Sequence, residues 1–224
     1  MRDGLGSIDQ HRDVTAMCHF DNALDVVGFP QPYHSNLYAG WDVARNRDLS
    51  VIWLSELVGD VSWTRGVIEM RNLPTPQQME QARQLMPYIQ RLVIDKSSMG
   101  LTIFEQLESE FGSNRVEGVQ FTLGHKEALA VYGKRRMEEQ KTRIPDTEMV
   151  RNSFRSVKKT VTATGQARFD AEHDEKFGHA DHWWAFCMAE SAHATQTYED
   201  IVFIEEEQVS ISPELDEFDL RNPF

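Results

Sequence analysis

YAGWDVARNRDLSVIWLSELV, running from Tyr38 to Val58, holds two apolar runs separated by a small charged turn. In the second run Leu49, Val51, Ile52, Trp53, Leu54, Leu57 and Val58 are too continuous for a strand with one wet face. Such a run reads as a central strand covered on both sides. The first run ends on Asp42, inside a strand pattern that disfavours aspartate. A buried carboxylate must be paired, protonated or bound to a cation. The alternative is an Asp42 that caps the turn through its own backbone. Asp48, in the same turn as Arg45, Asn46 and Arg47, reads either as a turn cap or as an additional ligand.

Working outward, strands are predicted over Leu37–Ala44, Leu49–Val58 and Val61–Met70, with Gly59-Asp60 as a hairpin turn. Gly66 marks a bulge in the third strand. Thr75-Pro76 reads as an N-cap followed by proline at the first helical position. Met79, Ala82, Leu85, Met86 and Ile89 then recur at helical spacing, and Pro87 bends or ends that helix. Arg91–Asp95 is a short strand. Leu101, Phe104, Leu107 and Phe111 give a second helix closed by Gly112. Val116–Phe121 is a further strand and Ala128–Gln140 a third helix, basic at Lys134, Arg135 and Arg136. Val157 to Phe169 alternates around Thr164-Gly165 as a β-hairpin, and Trp183–Ala194 makes the last helix. The expected architecture is α/β: an antiparallel three-strand meander, then parallel strands joined by helices, with a hairpin insertion.

The 224 residues, 40% apolar and 10% aromatic, suit one domain with extensions. Residues 37–196 are expected to form it. Residues 1–36 read as a linker or irregular extension with a short helix around Asp21 to Val27, and residues 197–224 as an acidic tail. No apolar run is long enough for a membrane span, and the start lacks a signal-peptide pattern. Cys18 and Cys187 form no metal-type spacing and fit a reducing compartment, so a cytoplasmic location is expected. Net charge is −13, which by itself argues against a nucleic-acid partner. The acidity is concentrated, however: nine acids lie between Glu199 and Phe224 against Arg221 alone. Arg115 to Lys159 carries eleven bases against six acids and is locally basic.

Asp95 ends its strand much as Asp42 does, and ligands in open α/β sheets collect at the carboxyl ends of parallel strands. Asp181, in GHADHWWAFCMAE, opens the last helix and taken alone is adequately explained as an N-cap. Three acids on three elements repel one another unless a multivalent cation lies between them. All-oxygen ligation suits Mg²⁺ or Mn²⁺ rather than zinc. Two such ions can flank a scissile phosphate, one activating water and the other stabilising the leaving oxygen.

This arrangement resembles the ribonuclease H-like superfamily. Within it, GWDVARNRDLSVIWL, RLVIDKSSMG, the basic helix and hairpin, and GHADHWWAFCMAE resemble, in order and spacing, the nuclease domain of tailed-phage terminase large subunits, most nearly the Mu-like phage and prophage group. The resemblance spans about Leu37 to Ala194. It implies a Mg²⁺- or Mn²⁺-dependent endonuclease that cuts double-stranded DNA during genome packaging, using two metal ions held by Asp42, Asp95 and Asp181. The family often adds a second acid or a histidine before the last helix; here that region offers Glu172, Asp174, His179 and His182. Asp174 is expected as a further metal ligand and His179 as a catalytic or metal-binding histidine, although His179 also fits an ordinary helix-start position. A terminase ATPase domain, small subunit and portal are the implied partners.

The chain departs from the family in carrying no packaging ATPase. Its Gly133-Lys134 pair has Ala128 where a phosphate loop needs glycine, and no Ser or Thr follows the lysine. The chain is therefore expected neither to bind nor to hydrolyse ATP. Lys96, next to Asp95, points either to a phosphate or to solvent. Lys126, Arg155, Lys158 and Lys159 are the phosphate-contact candidates, each of which taken singly also reads as a solvated charge. Trp183 and Trp184 read as core rather than base-stacking platforms. Two other readings use the same residues: another ribonuclease H-like enzyme (a Holliday-junction resolvase or a transposase-like transferase), and a non-catalytic packaging component.

Overall fold

A computed structural model of the chain describes residues 18–20, 37–44, 49–97, 99–161, 167–171 and 180–194. The shorter apolar run becomes β2 (Leu37–Asp42) and the longer one β3 (Leu49–Val58), and they pair antiparallel from Leu37↔Glu56 to Asp42↔Val51. β4 (Val61–Arg71) continues the meander. On its other side β2 pairs in parallel with β5 (Arg91–Asp95), which pairs in parallel with β6 (Val116–Val119). β1 (Cys18–Phe20) and β7 (Thr142–Arg143) both lie along the outer edge of β4. The seven-stranded sheet thus has the order β1-β4-β3-β2-β5-β6, with β7 beside β4. β8 (Val157–Val161) and β9 (Ala167–Ala171) form a separate antiparallel hairpin.

Both faces of the sheet are covered, which is why β3 has no polar alternation. Ile52 and Leu54 point into a core shared with α1 (Thr75–Leu85) and α2 (Gly100–Phe111), where Leu85, Met86, Ile103 and Leu107 are buried. Val51 and Trp53 point into the opposite core, built with α3 (Leu123–Glu138), α4 (Glu148–Ser156) and α5 (Asp181–Ala192). There Trp53 meets Phe186 edge-on at 5.6 Å, and Phe154 meets Trp183 at 5.0 Å. Among the described residues no helix is long and apolar enough to cross a membrane.

α5 is buried along its whole length, from Asp181 to Ala192. Two glycines permit this. A Cβ on Gly40 of β2 would lie 2.2 Å from the Ala185 carbonyl oxygen and 2.3 Å from the Ala189 nitrogen. A Cβ on Gly133 of α3 would lie 2.6 Å from Cys187 Sγ. The helix is therefore clamped between the sheet, at backbone contact distance, and α3, which closes on its Cys187 side chain. Its far end is pinned by buried Glu190, whose Oε1 accepts from Ser62 Oγ at 2.5 Å. Its Oε2 accepts from Arg136 Nε at 3.1 Å and lies 3.2 Å from His193 Nε2.

Several expectations from the sequence need correction. Thr75 is the first residue of α1 and not its cap; Pro74 holds the cap position and offers no side-chain hydrogen bond. Leu101 is exposed on α2, whose buried face is Gly100, Ile103 and Leu107. α3 begins at Leu123, with Thr122 Oγ1 accepting from the His125 N–H at 3.2 Å. α4 was not anticipated: Thr147 caps its start, and Val150 and Phe154 bury one short face. Cys18–Phe20 forms a strand within the segment read as irregular. The predicted helix around Asp21 to Val27 and the acidic tail lie outside the described residues.

Candidate active site

Asp42 ends β2 and Asp95 ends β5. The parallel register pairs Trp41 with Ile94, so the next step sets Asp42 beside Asp95 on the same face of adjacent strands, which lie about 4.8 Å apart. That face is the one α5 covers. Along β2, Tyr38 meets His193 edge-on at 5.7 Å, and Gly40 touches Ala185 and Ala189. One helical turn back from Ala185, about 6 Å, reaches Asp181. Two residues on from Gly40, about 6.6 Å, reach Asp42. The helix thus runs antiparallel to β2 and delivers its first residue to the strand ends. Asp42, Asp95 and Asp181 are all at least nine-tenths buried.

Local hydrogen bonds fix each element at this edge. Trp41 Nε1 donates to Ser50 Oγ at 2.8 Å, and Ser50 Oγ donates to the Asp42 carbonyl at 3.2 Å. Asp95 Oδ1 accepts from the Ser97 N–H at 2.8 Å, and Ser97 Oγ accepts from the Phe121 N–H at 3.0 Å. Ala180, in the left-handed region at φ 66°, turns the chain into α5. Asp181 is therefore a first-turn residue and not the cap, and Ser153 Oγ accepts from the Trp183 N–H at 3.1 Å.

The electrostatics are those of crowded acids. Burial first, then repulsion from Asp181 and Asp95, pushes the Asp42 carboxyl well above its usual range, while Lys126 pulls the other way. Burial also raises Asp95, against the lowering effect of its Ser97 hydrogen bonds and of Lys126. Oxygen donors held in this way match a hard divalent cation, which removes both the repulsion and the desolvation cost. Among the described residues no three Asp, Glu, His or Cys side chains form a finished metal cage. The fit is therefore one of donor type and placement, not of a closed coordination shell.

Glu69, absent from the carboxylate reading, joins this edge together with His182, which the sequence offered as a candidate. Glu69 on β4 pairs with Val51, which pairs with Asp42, so Glu69 shares the row and face of the aspartates. Its Oε1 lies 2.7 Å from Nε2 of buried His182, the residue after Asp181. A glutamate between Ile68 and Met70, both buried, was the available signal in the sequence. Lys126, expected as a DNA contact, stands over two aromatic rings, 4.8 Å from Trp184 and 5.3 Å from Phe121.

The remaining candidates separate. Lys96 is half-buried, its ammonium 5.3 Å from the Phe104 ring of α2. Lys159 sits 5.9 Å from the Phe169 ring and acts electrostatically on Glu127, the neighbour of Lys126. Adjacent strand residues point to opposite faces, so Lys158 is directed away from Lys159 and is exposed. Arg155 is exposed on α4. Asp48, Glu172, Asp174 and His179 lie outside the described residues.

A mixed sheet with a three-strand meander, parallel strands beyond its central strand, and helices on both faces is the ribonuclease H-like fold. The chain belongs to the terminase RNaseH-like domain family, whose model matches residues 39–192. Its structure is similar to the large terminase nuclease from thermophilic phage G20c with bound magnesium, at a TM-score of 0.60 and 21% identity, covering 72% of this chain and 82% of that one. The Thermus phage P74-26 large terminase nuclease domain aligns at 0.58 with 18% identity, covering 72% and 82%. The HK97 bacteriophage large terminase aligns at 0.52 with 11% identity, covering 75% of this chain and 42% of that one. At these identities the likeness is one of fold. No curated protein sequence matches the chain.

Proposed function

We infer that the chain is the DNA-cleaving domain of a phage or prophage packaging terminase, hydrolysing phosphodiester bonds of double-stranded DNA with two Mg²⁺ or Mn²⁺ ions. The observation that carries this reading is the gathering of Asp42, Asp95 and Asp181, from β2, β5 and α5, on one buried sheet edge within a terminase RNaseH-like domain. The magnesium bound to the G20c nuclease supports a divalent ion here too.

Asp42, Asp95 and Asp181 would hold the metal, which when bound supplies an activated water and charge stabilisation for the leaving oxygen. The chain's own contribution is positional. The β2–β5 register fixes two carboxylates side by side, and the Gly40 contact brings Asp181 to them. Lys126, Arg155, Lys158 and Lys159 supply the positive charge that contacts DNA phosphates in this reading. Asp174 and His179 complete the ligand and proton-transfer set in this reading. A packaging ATPase, a small subunit and a portal are the partners that follow from it, and the chain itself performs no ATP hydrolysis.

Cleavage of supercoiled plasmid with Mg²⁺, with Mn²⁺ and with EDTA tests the reading. The parent should nick and linearise DNA with either metal and not with EDTA. Asp95→Asn and Asp181→Asn should remain folded and lose activity. A parental cleavage rate in either variant would show that the three-acid site is wrong.

A further inference from the structure

Lys126 is poorly explained as a surface charge. It lies in the first turn of α3, where the helix dipole disfavours a cation. It is half-buried, with its ammonium over Trp184 and Phe121, whose rings are themselves 5.5 Å apart. Trp184 is one turn along α5 from Asp181. Phe121 is tied through its N–H to Ser97, which in turn donates to Asp95. The two rings therefore hold the ammonium at the mouth of the carboxylate edge. Among the described residues no carboxylate pairs with it directly, yet its charge acts on both Asp42 and Asp95.

We propose that Lys126 is the resident counter-ion of the carboxylate site, neutralising part of its charge while no divalent ion is bound and competing with an ion that enters. This role rests on the nuclease reading and deepens it. The aromatic platform keeps the ammonium close enough to be felt and too far to close an ion pair. The lysine stays free to turn to a DNA phosphate oxygen when substrate arrives. Metal occupancy is thereby held back until DNA takes up the lysine's charge.

The test is Mn²⁺ titration calorimetry without DNA on the parent, Lys126→Gln, Lys126→Met and Lys126→Arg. A unit charge several ångströms from a divalent ion weakens its binding by roughly tenfold even with strong solvent screening. The Gln and Met variants should therefore bind Mn²⁺ about tenfold more tightly than the parent, and Arg should match the parent. In EDTA the two neutral variants should melt below the parent, and Mn²⁺ should close that gap. Plasmid cleavage at saturating Mn²⁺ should nevertheless be slower in both. A merely structural lysine predicts the opposite pairing, with metal binding and cleavage weakened together. Met retains an apolar stem over the rings, so it carries the test if the Gln variant does not fold. Mn²⁺ binding in both neutral variants no tighter than in the parent overturns the counter-ion role. If Asp95→Asn still abolishes cleavage in that case, the nuclease reading stands without it. A parent that binds no Mn²⁺ sinks both.

Discussion

Gly40→Ala tests whether the close approach of α5 to β2 aligns the acids. The added methyl would lie 2.2 Å from the Ala185 oxygen, 2.3 Å from the Ala189 nitrogen and 2.8 Å from the Met188 carbonyl carbon. All three are backbone atoms of a helix with no exposed face, so no side chain can swing aside. Restoring ordinary contact requires the helix to retreat by about 1 Å, and overpacking of this kind costs about 1–3 kcal/mol. For a domain of this size each kcal/mol lowers Tm by roughly 2–4 °C. The retreat occurs one turn from Asp181 and shifts that carboxylate from Asp42 by a similar distance, a misplacement that can cost about a hundredfold in rate. The assay is plasmid cleavage at saturating Mn²⁺ beside a thermal melt in EDTA. Gly124→Ala is the control, since its methyl meets nothing within 4 Å. Gly40→Ala with parental Tm and parental rate would refute the argument that backbone contact at this glycine sets the site.

The other predictions concern charge. The raised Asp42 pKa means that the folded, metal-free protein holds a proton that the unfolded chain gives up near its ordinary value of 3.8. Stability in EDTA should therefore fall as pH rises above about 4 toward neutrality. Asp42→Asn should lack this part of the decline and melt no lower than the parent at pH 7, with the two converging toward pH 4; Tm against pH in EDTA checks it. On the hairpin, Lys159→Ala should reduce the salt slope of DNA binding by about one unit, because a single phosphate contact is lost. Lys158→Ala, directed to the other face, should change it less. Binding isotherms at several salt concentrations separate the two lysines, and equal slopes for parent and Lys159→Ala would remove the hairpin's α3-facing side from the DNA path.

Much of the fold was legible because its main strands are strongly apolar and sharply punctuated. The unbroken apolar content of Leu49–Val58 required cover on both faces, and β3 occupies that range. Gly59-Asp60 and Gly112 ended their elements as turn chemistry demands. The start of α3 was missed because its first turn, from Leu123 to Glu127, is exposed or half-buried and has no apolar period to read. α4 was missed because nine residues offer too few turns for a periodic signal, and β7 because two residues offer none. Asp42 and Asp95 were visible as acids closing apolar strands. Lys126 was visible only as a charge, since its aromatic platform joins nearby Phe121 to Trp184, far away in sequence.

Glu69 shows why the rest of the site could not be read from alternation alone. In the first half of β4, Ser62 and Thr64 share a face, and Ser62 reaches Glu190 on α5. Uninterrupted alternation would put Ile68 and Met70 on that face and turn Glu69 away from α5. The pairing with β3 instead jumps from Ser55↔Thr64 to Leu54↔Gly66, leaving Arg65 as an extra residue. This is the bulge that Gly66 suggested, and it reverses the alternation. Ile68 and Met70 enter the core under α1, and Val67 and Glu69 turn toward α5. One strand thereby grips both ends of the helix, through Ser62 at Glu190 and through Glu69 at His182. A single inserted residue far from the three acids thus helps fix the helix that carries one of them.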